Sequence, residues 1–246
     1  MQIYRADLHI HTVLSPCGNL EMSPVNIVKR AKEKELDIIG ITDHNSTLHC
    51  ELTAKLASAL GIKVMMGAEV TTKEEIHCLT FFETTKTLKL FQQYLEKHLP
   101  HIPNDVNKFG YQVVVNEKEE ILESIDWLLI SAIDQSIDEV EDFVHKLGGL
   151  FIPAHIDKPC NSLISQLGFI PPAIIVDGFE LSKHAKPQDV LPLLNRHDTI
   201  PLLRNSDAHQ LDQIAEATTC FEMCELTFSE IRQALKGKDN RRTFTA

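Results

Sequence analysis

Asp7-Leu8-His9-Ile10-His11 sets an acid and two histidines at alternate positions near the start of the chain. In an extended strand, residues i, i+2 and i+4 share one face. The spacing therefore predicts Asp7, His9 and His11 on one side and Leu8 and Ile10 packed on the other. Two imidazoles so placed can reach a common cation.

The segments that follow repeat an apolar run ending in polar donors. Ser23-Pro24 reads as an N-cap and first helical residue, with Val25, Val28 and Ala31 on one helical face. The run Asp37 to Thr42 comes next and ends in Thr42-Asp43-His44. Leu52, Leu56, Ala59 and Leu60 mark a second helix that Gly61 terminates, and Lys63 to Met66 reads as a strand leading to Glu69. Polar residues 71 to 75 turn the chain, so a strand over Ile76 to Phe82 would bring His77 back beside Glu69. Ser136 and Glu139 form a capping box for a helix that Gly148-Gly149 stops, and Phe151-Ile152-Pro153 then leads to His155. Further strands are expected over Ile174 to Val176 and Ile200 to Leu203, the latter running on to Asp207 and His209, with a helix near Asp189 to Asn195 between them. Thr218 to Met223 reads as a buried strand, and a last helix is capped by Thr227 with Glu230. This alternation fits βα units on a mostly parallel sheet, as a barrel or a doubly wound fold. Residues 83 to 130 break the rhythm and read as an insertion or lid; its Trp127 is most simply a core residue, although the insertion could shape substrate access.

Composition narrows the function classes. The 246 residues suffice for one large α/β barrel domain, and a formal charge of −11 argues against coating nucleic acid by phosphate neutralisation, though short or enclosed nucleotide substrates remain compatible. No apolar run reaches the roughly 18 residues of a membrane span. The first residues show no basic segment leading into an apolar run, so no secretory leader is expected. Six cysteines without a C-x-x-C pair read as thiols of a reducing cytoplasm. Of the twelve histidines, His49, His98, His101, His145 and His197 fall in helical or loop stretches and are expected to be solvated or capping groups. The others cluster at strand ends. Six such ends carry eight potential ligands, a crowd of imidazoles and carboxylates whose burial is costly without bound cations.

Asp7-x-His9-x-His11, Thr42-Asp43-His44, Glu69, His77, His155 and Asp207-x-His209, in that order from residue 7 to residue 209, resemble the motifs of the PHP (polymerase and histidinol phosphatase) family. The resemblance implies one PHP domain over residues 1–246, an α/β fold built as a distorted (β/α)7 TIM-like barrel, and the insertion around residues 83–130. It implies that His9, His11, His44, Glu69, His77, His155, Asp207 and His209 hold two or three divalent ions (zinc, manganese or iron), with Glu69 bridging. Where relatives place a further His or Asp after the first motif, this chain has Ser15-Pro16-Cys17-Gly18, so Cys17 is either a thiolate ligand or a spectator. Asp134 stands where some relatives supply a histidine; it is a weaker ligand candidate, equally explained as a polar residue leading into a helix.

The implied activity is hydrolysis of a small phosphomonoester, or of a nucleotide or short nucleic-acid phosphoester, by a metal-activated hydroxide. By analogy with other barrel metallohydrolases, Asp207 is the candidate proton acceptor. Arg204, Lys158, Lys183 and His184 are candidate phosphate donors. The alternatives are an amide or lactone hydrolase on the same cations, or a non-catalytic, metal-stabilised module that binds a protein partner.

Overall fold

The structure is a computed structural model that describes residues 1–194 and 199–245. In chain order the main elements are β1 (Gln2–Ile10), α1 (Pro24–Glu33), β2 (Ile38–Ile41), α2 (Cys50–Ser58), β3 (Lys63–Thr71), β4 (His77–Phe82) and α3 (Thr85–His98). They continue with α4 (Val106–Phe109), β5 (Val113–Val115), β6 (Ile121–Ser124), α5 (Ile137–Lys146), β7 (Leu150–Pro153) and α6 (Leu163–Leu167). The last are β8 (Phe179–Leu181), α7 (Pro187–Leu194), β9 (Leu202–Arg204), β10 (Thr219–Met223), α8 (Phe228–Leu235) and β11 (Arg242–Thr245). Among the described residues no helix is long and apolar enough to cross a membrane.

A seven-stranded sheet in the order β11-β10-β1-β2-β3-β4-β7 curls strongly into the distorted barrel. It is mixed, where the sequence suggested mostly parallel strands. β1 pairs in parallel with β2, and β2 with β3, through helical crossovers. β4 instead returns antiparallel beside β3, because the short turn of residues 72 to 76 cannot supply the dozen or more residues of a parallel crossover. β8 and β9 form a separate parallel pair. They span the gap between the sheet's two sides by isolated contacts: Ile156 N–H donates to the Glu180 carbonyl at 2.9 Å on the β7 side, and Leu8 N–H to Asn205 Oδ1 at 2.9 Å on the β1 side. The strand lies at Phe179–Leu181, later than the expected 174 to 176, which form irregular backbone before it.

Two apolar cores sandwich the sheet. Ala6, Leu8, Ile38, Met65, Leu79, Phe81, Leu150 and Ile152 line the face closed by Phe228 and Ile231 of α8. Ile39, Ile41, Val64, Val70, Cys78 and Phe151 pack outward against α1, α2, α3 and α5. Strand alternation then puts Glu69 on the inner face with Met65, and His77 there with Leu79 and Phe81. Apolar residues fill the floor, and polar ones collect at the rim.

β1 departs from simple alternation. Its register to β2 slips between Asp7 and Ile10, so Leu8 joins the inner core while Ile10 joins the outer one. The slip is a register irregularity of the β-bulge kind, which re-aims side chains at a sheet's functional end. Leu8 and Ile10 therefore do not share a face, and Asp7 does not point with His9 and His11. Its carboxylate instead accepts from the backbone of Ser206 at 3.0 Å and Ala215 at 2.9 Å, and burial raises its pKa to about 6.

Within residues 83–130, α3 belongs to the main helical layer through buried Leu88, Phe91 and Leu95. The rest forms the β5–β6 ribbon, docked on the loops after β1 and β2. Ser23 Oγ donates to Glu119 at 2.6 Å, and Asn45 Nδ2 donates to the Leu129 carbonyl at 2.7 Å. The ribbon flanks the rim: only Ile130 of this stretch lines the cavity there. Trp127, expected in the core, is 39% exposed and stacks on His101 beside a different cavity.

Candidate metal centre

Eight side chains from six strand ends meet at this rim. His9 and His11 come from the end of β1, and His44 follows β2. Glu69 stands near the end of β3, His77 opens β4, His155 follows β7, and Asp207 and His209 follow β9. His9, His11, His44, Glu69, His77 and His155 are buried. His155 (φ 30°) and Asp207 (φ 53°) hold left-handed backbone, strain of a kind that concentrates where function fixes a side chain.

Glu69 is the hub. Its Oε1 lies 3.3 Å from His9 Nε2, 3.0 Å from His77 Nδ1 and 3.1 Å from His155 Nε2; its Oε2 lies 3.3 Å from His11 Nε2 and 3.2 Å from His44 Nδ1. Asp207 Oδ1 stands 3.3 Å from His9 Nε2 and 3.4 Å from His11 Nε2. Donors about 2.1 Å from a shared cation stand about 3.0–3.4 Å apart along the edges of an octahedron or tetrahedron. The observed separations have that spacing.

Hydrogen bonding behind the rings fits the same reading. His9 Nδ1 is held 3.0 Å from Glu180, and His11 Nδ1 lies 2.9 Å from Ser15 Oγ, which itself donates to Asp43 at 2.7 Å. His209 Nδ1 donates to the Asp207 carbonyl at 2.9 Å. With Nδ1 so engaged, each Nε2 is turned to the cluster, and those of His9 and His11 approach to 3.1 Å. Two such nitrogens at that distance need a proton or a cation between them. His44 Nδ1, His77 Nε2 and His155 Nδ1 are buried without a hydrogen-bond partner, a costly condition; a cation beside Glu69 would relieve it at His44, whose Nδ1 faces that carboxylate at 3.2 Å. Buried clusters His9–His11–Glu69 and His44–Glu69–His77 are each arranged to hold an ion.

The electrostatics are those of a mutually neutralising cluster. Burial works against the charge on Glu69, but His77, His9 and His44 outweigh it and hold the carboxyl well below its usual range. Asp207 is likewise held low, against burial, by His9 and His11. Burial opposes the charged His9, yet Glu180, Asp207 and Glu69 raise it well above an ordinary imidazole. Burial and the neighbouring His11 lower His209 to about 4.

Two cavities open from the cluster. One of about 200 Å³ is lined by Cys17, His44, Glu69, His77 and His155. The other, about 560 Å³, is lined by His155, Lys158, Lys183, His184, Asp207 and His209 among others. Lys158 pairs with Asp207 Oδ2 and Lys183 with Glu216. Arg204 is not brought there: its guanidinium donates to the Ala185 carbonyl at 2.6 Å. Asp134 is also elsewhere, exposed and paired with His98 at 2.6 Å.

Glu180 and Asn205 were not singled out by the sequence. Glu180 is buried, holds His9 Nδ1, and accepts from His155 N–H at 3.0 Å and Asn205 Nδ2 at 2.8 Å. Its signal was a lone carboxylate between apolar Phe179 and Leu181. His49, expected to be solvated or capping, holds the N-cap position of α2 without a side-chain cap bond and is buried: Val115 N–H donates to its Nε2 at 2.9 Å, and its Nδ1 lies 2.6 Å from Thr12 Oγ1, which donates to Asp43 at 2.8 Å. This chain of bonds ties the ribbon to the loop that orients His11. His145 bridges Glu141 and Asp177, and His197 lies outside the described residues.

Replacing Glu180 by Gln is expected to weaken cation affinity about 10–100-fold, since it removes the charge that aligns His9. Metal-titration calorimetry checks this; unchanged affinity with a native melting curve would deny Glu180 that role.

A PHP domain model matches residues 7–153. The uncharacterized protein YqxK of Bacillus subtilis is 26% identical over 269 aligned positions, covering 96% of this chain and 63% of YqxK. The lesion-specific endonuclease Q of Pyrococcus furiosus superposes with a TM-score of 0.74 at 22% identity, covering 98% of this chain and 58% of that one. Endonuclease Q bound to a 27-mer duplex with an abasic lesion at its active site gives 0.69 at 22% identity, with the same coverage. The likeness to these structures is one of fold, and the chain spans less than two thirds of the length of YqxK or endonuclease Q. With the motif set, the curled mixed sheet and the buried His/Glu clusters at its rim, the chain belongs to the PHP domain family.

Proposed function

We propose that the chain is a metal-dependent phosphoesterase whose site is the strand-end cluster and the adjoining cavity of about 560 Å³. The observation that carries the reading is the convergence of six buried imidazole and carboxylate side chains, with Asp207 and His209, beside a cavity edged by Lys158, Lys183 and His184. His9, His11, His44, Glu69, His77, His155, Asp207 and His209 would hold two or three divalent cations, and zinc, manganese or iron suits that mixed nitrogen and oxygen set. Such cations supply a water acidic enough to attack at neutral pH and offset charge on the phosphoryl oxygens. We read residues 1–246 as one such domain, because β10 and β11 near the C-terminal end pair into the sheet beside β1.

Asp207 is the proton acceptor in this reading: His9 and His11 keep its carboxylate ionised despite burial. Lys158, at Asp207 Oδ2, supplies an ammonium where a phosphoryl oxygen would lie, and Lys183 and His184 meet the outer part of the substrate. A volume of about 560 Å³ accepts a group of nucleotide size. A short nucleic-acid strand or a small phosphomonoester enters such a site; an undistorted duplex does not. The endonuclease Q likeness makes a duplex with an abasic position the first polymer to try.

Metal-replete protein should cleave a nitrophenyl phosphoester or a lesion-bearing oligonucleotide, and His209→Ala should abolish that activity. Release of carboxylate or amine from an amide and lactone panel, with every phosphoester left intact, would overturn the proposal.

A further inference from the structure

The loop between β1 and α1 carries a thiol at the mouth of the cluster, and phosphoester hydrolysis as described above makes no use of one. We propose that Cys17, His11, His44 and His209 form a thiolate–imidazole position of the centre, which selects a thiophilic cation such as zinc or cobalt(II) over manganese or magnesium. This rests on the reading that the cluster binds cations, and it adds a ligand and a selectivity to that reading.

Geometry carries the inference. One ligand atom from each of the four residues lies within 4.8 Å of the others, and Glu69 is not needed to complete the group. His44 is 3% exposed, and its Nδ1, which faces Glu69 Oε2 at 3.2 Å, makes no hydrogen bond. The His209 and His11 rings stack at 4.3 Å, Nδ1 of each is bound behind the ring, and Nε2 is the donor atom each can offer, that of His11 standing also 3.3 Å from Glu69 Oε2. The Cys17 loop is built rather than loose. Ser15 N–H donates to the Thr12 carbonyl at 3.1 Å and Gly18 N–H to the Ser15 carbonyl at 2.8 Å. A Cβ at Gly18 would stand 2.4 Å from the Thr12 oxygen, so the turn closes only with glycine there. Asn19 N–H donates to the His209 carbonyl at 2.9 Å, fastening the loop to the segment that presents that imidazole.

Chemistry supplies the selectivity. Sulfur and imidazole donors suit zinc and cobalt(II), whereas manganese and magnesium favour oxygen. An uncoordinated thiol is protonated at neutral pH. On coordination the S–H bond breaks, its proton passes to solvent, and the sulfur electron pair forms the bond to the ion. Cys160 also edges this cavity but joins none of the ligand clusters among the described residues, which makes it the matched control.

The test titrates the chelator-stripped full chain with cobalt(II) and reads thiolate-to-cobalt charge-transfer absorption in the near ultraviolet, with bound metal counted by elemental analysis. The wild type and Cys160→Ser should both show the band. Cys17→Ser should lose it together with about one equivalent of bound ion. Cys17→His should bind the full complement without the band, which keeps the test valid if the serine variant melts early. A band that survives in Cys17→Ser, cobalt binding without a band in the wild type, or no cobalt binding overturns the proposal. Band loss in Cys17→Ser with no phosphoester turned over supports this ligand and refutes the hydrolase reading; turnover without a band does the reverse.

Discussion

Asp207→Asn should lower turnover of the cation-loaded chain about 10²–10⁴-fold, the span that loss of a general base commands. Asparagine tolerates the left-handed backbone that Asp207 holds at φ 53°, so the fold should survive the change. The amide neither takes a proton nor carries the charge that pairs with Lys158. Steady-state kinetics with the metal content measured beside them separate the roles. A fall in kcat with metal retained fits a proton acceptor, and a parallel loss of metal and activity fits a ligand alone. A kcat within a few-fold of wild type would remove Asp207 from both.

Stripping the cations should lower the melting temperature by about 8–16 °C for each ion lost. An ion present at about a thousand times its dissociation constant stabilises by about 4 kcal/mol, and a chain of this size melts about 2–4 °C lower per kcal/mol lost. The gap between loaded and stripped protein should narrow as pH falls from 8 to 6. In the stripped protein His9 and His11 are raised above their ordinary values: burial opposes the charge, but the carboxylates around them outweigh it. Their protonation stabilises the metal-free fold below the unfolded imidazole value of about 6.5, and this contribution is lost as pH rises through the folded value. Protons thus compete with cations for the same nitrogens. Calorimetric scans with and without chelator at both pH values read the difference; equal melting temperatures would contradict a cation-stabilised centre.

How much of this was legible in the sequence follows from what strand ends reveal. Glu69, His77 and His155 each stand at a strand end that hydrophobic patterning marks, so the structure gathers them as their spacing suggested. The polar residues 71 to 75, read as a turn, likewise foretold His77 beside Glu69, 3.0 Å apart. Asp7 escaped because a bulge is a matter of pairing register, which depends on β2 and leaves no trace in β1 itself. Glu180 escaped because β8 has three residues, too few for a periodicity, and its role depends on His9, 171 positions away. The buried His49 reads in isolation as any polar residue before a helix; only the docked ribbon supplies its partner at Val115. Local pattern announced the candidate ligands, and long-range packing chose what orients them.

The most direct test of the central claim is anomalous X-ray scattering from crystals grown with zinc or manganese, recorded on both sides of the metal edge. The account predicts two or three peaks at the rim, at least one within about 2.0–2.2 Å of a Glu69 oxygen and of Nε2 of His9 or His11. Crystals of fully folded protein with no anomalous peak at the rim, or with peaks only at surface carboxylates, would contradict it.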